Sequence, residues 1–75
     1  MYLTAEDRQR LKEFDKDIEE VVRTNRQVNT APWYVMADIK MKRTGMPSNG
    51  HCPACVFDLY KEFLYHVQSF EQLGK

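Results

Sequence analysis

The sequence predicts an all-α fold, a three-helix bundle with the C-terminal helix at its centre. Three observations predict it. Apolar residues recur at helical spacing in three separate stretches, the segments TNRQVNTAP and GMPSNGH between them are rich in capping and turn residues, and no stretch alternates as a strand would. The 75 residues are read as one domain, 1–75. A domain of this size buries only about 60–65% of the surface its unfolded chain exposes, so it needs good packing or the support of a disulfide, a metal or a partner chain.

The first helix is predicted over about 4–25. Thr4 is a good N-cap, and Glu6 and Asp7 follow in the first turn, where the helix dipole favours acids. Leu11, Phe14, Ile18, Val21 and Val22 form a stripe about 100° wide, enough to cover one side of a neighbour. Glu6/Arg10 and Glu19/Arg23 have the favourable i, i+4 order, and the remaining charges read as a solvated face.

The second helix is predicted over 31–43, with Pro32 near its start, Thr44-Gly45 at its end and basic residues in its last turn. Its pattern is less orderly. Trp33, Met36 and Ala37 share one side with Tyr34 and Met41 nearby, while Val35 and Ile39 fall on another and Lys40 intrudes on the main apolar sector. One packed face cannot hide all of these. The surplus is expected to meet either the loop or a partner protein, and Trp33, Tyr34, Val35, Ile39 and Met41 are the candidate partner-binding residues.

The third helix is predicted over 52–73. Pro53 suits the first helical position, which makes Cys52 the N-cap and places Cys55 in the first turn. Leu59, Phe70, Phe63, Val56, Val67, Tyr60, Leu64 and Phe57 spread over roughly 160° of its surface, an arc that suits a helix lying in the groove between two others. Asp58, Lys61, Tyr65, Gln68 and Gln72 are left for water, and Gly74 is a plausible stop.

Charge narrows the function. With 11 basic and 11 acidic residues the bulk charge gives no case for a dedicated nucleic-acid binder, although Lys40, Lys42 and Arg43 cluster late in the second helix and could approach phosphates if the three helices were used as a helix-turn-helix. Small nucleic-acid binding is therefore the alternative function. No apolar run is long enough to span a bilayer, and the N-terminal residues MYLTAEDRQR lack the pattern of a signal peptide. No membrane association is expected, and the chain should stay in the cytoplasm of the cell that makes it.

Cys52-Pro53-Ala54-Cys55 raises two chemistries. A two-residue spacer lets both sulfurs reach one zinc ion, with His51 as a third candidate ligand, whereas His66 lies about 16 Å further along a continuous helix and cannot share it. The fourth ligand would come from Asp58, water or a second protomer. Redox exchange is the other chemistry, since helix N-termini acidify thiols, but a thioredoxin-like scaffold needs strands that the sequence does not offer. Two structural thiols at the start of a core helix are the plain alternative. Ser48, His51 and Asp58 could be written as a hydrolytic set, but no motif surrounds them, and no enzyme activity is expected.

From Met36 to Tyr65, the run ADIKMKRTG, a short loop and then CPACVFDLYKEFLY resembles a group of small helical proteins encoded by tailed phages of gut Bacteroides, including the crAss-like group. Those proteins similarly place a helix ending near Thr-Gly before a Cys-x-x-Cys that opens a Leu/Tyr/Lys-rich final helix. The resemblance implies a phage origin and a virion-associated or host-interacting role. The expected function is non-enzymatic protein binding.

Overall fold

The computed structural model describes residues 3–26 and 29–73. In chain order it contains α1 (Ala5–Leu11), a 3-10 turn (Lys12–Phe14), α2 (Asp15–Thr24), α3 (Ala31–Thr44) and α4 (Pro53–Leu73), and no strand among the described residues. α1, the 3-10 turn and α2 follow without a gap and form the first helix of the predicted three-helix bundle.

The turn inside that first helix is not marked by any breaker in the sequence. Three residues advancing at 120° instead of 100° rotate the following stripe by roughly 60°. The two halves accordingly serve different neighbours, α1 packing on α3 and α2 on α4. Thr4 caps α1 through a reciprocal box: its Oγ1 accepts the Asp7 N–H at 3.1 Å and the Asp7 carboxylate accepts the Thr4 N–H at 3.2 Å. Asn25, left-handed at φ 61°, closes α2 by donating its N–H to the Val21 carbonyl at 2.8 Å. The expected i, i+4 pairs are not the ones formed. Arg10 reaches Asp38 of α3 at 3.0 Å, and Arg23 meets Glu20 at 4.0 Å.

Thr30, the N-cap of α3, makes no side-chain cap bond, and the Asn29 side-chain oxygen before it accepts the Ala31 N–H at 3.1 Å. Gly45 ends the helix at φ 73° with its N–H on the Met41 carbonyl at 2.8 Å. The side of α3 that faces the core is Pro32, Met36 and Ile39, with Val35 half-buried beside them. This corrects the sequence reading of Ile39 as partner-facing. Its side chain is 0% exposed, because the packed side of the helix runs through Pro32, Met36 and Ile39, with Trp33, Val35 and Ala37 partly buried against the same core.

The connection after α3 is a strap and not a tight turn. Residues 45–52 carry no helix or strand, and Gly50 lies against the Trp33 ring in the first turns of α3, near Val56 of α4. The chain thus returns along α3 before α4 begins. A 14-residue helix is about 21 Å long, and eight extended residues reach at most about 29 Å, so the strap must be drawn out.

α4 is the central element. It supplies Val56, Leu59, Tyr60, Phe63 and Val67 to a buried core completed by Leu11, Ile18, Val21, Met36 and Ile39, and it packs on both α2 and α3. Asp58, Lys61, Tyr65, Gln68 and Gln72 face water as expected. The Tyr60 hydroxyl lies 3.5 Å from the Asn29 carbonyl, and burial, with the Asp17 charge as a second cause, pushes its pKa up to about 12. The predicted stop at Gly74 lies outside the described residues. Among those residues no helix is long and apolar enough to cross a membrane.

Candidate functional site

The residues singled out on α3 divide between its inner and outer sides. Ile39 belongs to the core, and Val35 packs half-buried against it. Tyr34 and Met41 are open, 65% and 50% exposed. Seven residues apart, they lie within about 20° of each other around the helix axis, so they form one outward stripe. Trp33 flanks that stripe. Its ring is half-buried beneath Gly50, meets Tyr34 edge-on with centroids 5.2 Å apart, and keeps a buried Nε1 that has no hydrogen-bond partner among the described residues. A small hollow lined by Thr30, Trp33, Tyr34, Gly50 and Val56 sits at this end of the helix.

The three cations considered for phosphate contact are all engaged with carboxylates. Lys40 Nζ lies 3.1 Å from Glu62 of α4, and Lys42 Nζ lies 3.3 Å from Asp38 one turn back. Arg43 makes the strongest arrangement: Nε donates to Asp7 Oδ2 at 2.8 Å and a terminal nitrogen donates to Oδ1 at 3.0 Å and to Thr4 Oγ1 at 3.2 Å. A nucleic-acid backbone would have to break each of these pairs. The Arg43 guanidinium, helped by the Thr4 N–H, holds the Asp7 carboxyl below its usual range against the opposing effect of burial. Sequence reasoning saw Asp7 only as a first-turn acid. The signal that marks it is a capping-box spacing, Thr4-x-x-Asp7, beside an arginine in the last turn of the adjacent helix.

Arg8 forms a second polar junction. It lies 2.6 Å from Asp15 and 2.7 Å from Glu71, joining the start of the first helix to the end of α4 over a groove lined also by Ile18, Leu64 and Val67. Neither the periodicity nor the charge pattern identifies this long-range contact, which spans 63 positions in the chain.

The thiols are placed as the capping argument predicts. The Val56 N–H donates to the Cys52 carbonyl at 3.0 Å, the first bond of α4, and the Cys55 N–H donates to Cys52 Sγ at 3.2 Å. Both thiols are free, Cys52 half-exposed and Cys55 exposed. Cys52 therefore does not sit in the core as a small hydrophobe. The proposed third ligand, His51, is exposed on the strap, where its backbone N–H donates to Asn49 Oδ1 at 2.9 Å. Among the described residues no three His, Cys, Asp or Glu side chains are gathered as a metal site, so His51, Cys52 and Cys55 are not brought together as a ligand set. Ser48 and Asp58 share a groove with Cys55, Lys40 and Glu62, but His51 does not line it, and the hydrolytic set is not assembled. His66 is largely covered, 3.7 Å from Glu62.

Comparison with protein-family models, with curated proteins and with solved structures finds no match to this chain.

Proposed function

We propose that the chain is a non-enzymatic protein-interaction module whose partner docks on the outer stripe of α3, through Tyr34 and Met41 with Trp33 at the margin. The single observation that carries this reading is the exposure of a large aromatic and a flexible apolar side chain on one line of a helix whose opposite side is fully committed to the core. Tyr and Met are suited to the task, since one offers area at little entropic cost and the other repacks against irregular surfaces. The resemblance of residues 36–65 to small phage proteins makes the partner a virion protein or a host factor.

The test is a pair of substitutions that leaves the core alone. Tyr34→Glu with Met41→Glu should preserve the helical far-ultraviolet spectrum and the unfolding midpoint while removing the chain from the complex it forms in its native source, read by size-exclusion chromatography and mass analysis. A folded double variant that still enters that complex would defeat the proposal. Charging Val35 and Ile39 does not serve the same purpose, because Ile39 is buried and its loss would unfold the chain.

A further inference from the structure

Among the described residues, the cysteine pair is a reactive constellation that the interaction reading leaves unused. We propose that Cys52 and Cys55 form a dithiol that exchanges with low-molecular-weight disulfides, Cys52 attacking and Cys55 resolving, so that the start of α4 cycles between a free pair and an intramolecular disulfide.

Geometry carries the proposal. Cys52 is the N-cap of a 21-residue helix and Cys55 lies three positions on, which places their Cα atoms about 5 Å apart, inside the span a disulfide bridges. Cys52 Sγ already lies 3.2 Å from the Cys55 backbone nitrogen, so the first sulfur is turned toward the residue it would join. Neither thiol is enclosed: Cys52 is half-exposed, and Cys55 opens onto a groove between the strap and α4. The roles are unequal. The neighbouring Cys55 side chain, then the N–H groups of Cys55, which donates to Cys52 Sγ at 3.2 Å, and of Ala54, favour the Cys52 thiolate, and the same pairing favours the protonated Cys55. Asp58 opposes the thiolate at both sulfurs without reversing that order. The thiolate is the attacking species in exchange, so Cys52 reacts first.

The chemistry balances with a disulfide as oxidant. The Cys52 thiolate attacks one sulfur of the external disulfide, the new S–S bond forms as the old one breaks, and the first thiol departs with a proton from water. Cys55 then loses its proton to water and its sulfur attacks Cys52, releasing the second thiol. Two protein thiols are oxidised by two electrons, and one disulfide is reduced to two thiols. No strand scaffold is required for this stoichiometric exchange.

The probe is oxidised glutathione, added to the reduced full chain without denaturant and followed by intact mass. The wild-type chain should lose two hydrogens and retain no glutathione. Cys55→Ser should trap one glutathione on Cys52, and Cys52→Ser, which keeps an N-cap oxygen and therefore the helix, should react at Cys55 about tenfold more slowly, in keeping with the lost advantage of the capped thiolate. Wild-type chain that keeps a glutathione on each cysteine would overturn ring closure. Equal rates for the two single variants, or a wild-type rate no greater than that of the same chain in strong urea, would overturn the assignment of the chemistry to the folded helix start.

Discussion

The two halves of α3 are built on opposite principles. Its C-terminal half is tied down by charge: Asp38 takes Arg10 and Lys42, Lys40 reaches Glu62 on α4, and Arg43 clasps Asp7 and Thr4 at the start of α1. Its N-terminal half makes no ion pair among the described residues: it is held by the buried Pro32 and Met36, one bond to the Asn29 side chain, the strap at Gly50 and an aromatic pair, and it leaves Tyr34 open. The difference separates what the helix uses to fold from what it can offer. Cations that appear free in the sequence are paired, Lys40 and Arg43 with neighbouring helices and Lys42 within α3, and the outer stripe that remains carries Tyr34 and Met41.

The strongest way to break this comparison is to move between the inner and outer sides of the same helix. Ile39→Ala should cost about 2–5 kcal/mol, the range for truncating a fully buried isoleucine, whereas Met41→Ala on the outer stripe should stay within about 0.5 kcal/mol. Urea unfolding monitored by far-ultraviolet dichroism measures both. Similar midpoint shifts in the two variants would mean that Met41 is packed and that the outer stripe does not exist.

A second, smaller effect tests the charged half. Asp7→Ala removes a nearly buried carboxylate that accepts from Arg43 and caps α1, and should cost about 2–3 kcal/mol. The pH dependence gives the sign independently. The folded chain binds the Asp7 proton less tightly than the unfolded chain, so the stabilisation is complete above about pH 4 and is lost as pH falls through the lowered folded value. Tyr60 acts in the opposite direction at the other limit. With its pKa pushed up to about 12, the folded chain holds the phenol proton more tightly, and that contribution is intact below about pH 10 and declines as pH rises from there through about 12. Asp7→Ala should flatten the acid limb of the stability profile, and Tyr60→Phe the alkaline limb; an unchanged limb in either variant would remove the group from its assigned role.

These particulars show what the sequence makes legible. α4 is readable from its start through the described residues because its apolar arc is wide and regular, and Pro53 with Cys52 marks its start. The first helix is readable in extent but not in its 3-10 turn, since Lys12-Glu13-Phe14 contains no breaker that would mark it. In α3, apolar residues fall on more than half of the helix surface, and the spacing alone does not show that α1 and α4 between them cover both Met36 and Ile39, with Trp33, Val35 and Ala37 partly buried around them. Of the candidate surface, Tyr34 and Met41 are named from composition, whereas spacing sets them beside the Trp33 sector and points to Val35 and Ile39, which the core takes. The pairing of Lys40 and Arg43 is not readable, because Glu62 and Asp7 are distant in the chain, whereas Lys42 pairs with Asp38 one turn back on the same helix.

The smallest effect concerns the strap itself. A Cβ added at Gly50 would lie 3.1 Å from the outer edge of the Trp33 ring, closer than most such contacts, and a half-buried ring can yield by a few tenths of an ångström more easily than backbone can. Gly50 has no left-handed φ to lose, so the substitution adds no backbone strain. Gly50→Ala should therefore shift the Trp33 fluorescence maximum and alter its quenching by iodide while changing stability by about 1 kcal/mol or less. If the strap instead holds Trp33 rigidly, the same substitution must push the ring into the core side of α3, and the midpoint will fall alongside the spectral change. The first outcome leaves the aromatic half of α3 adaptable, as a docking surface for a partner requires; the second makes Trp33 part of the fold and confines that surface to Tyr34 and Met41.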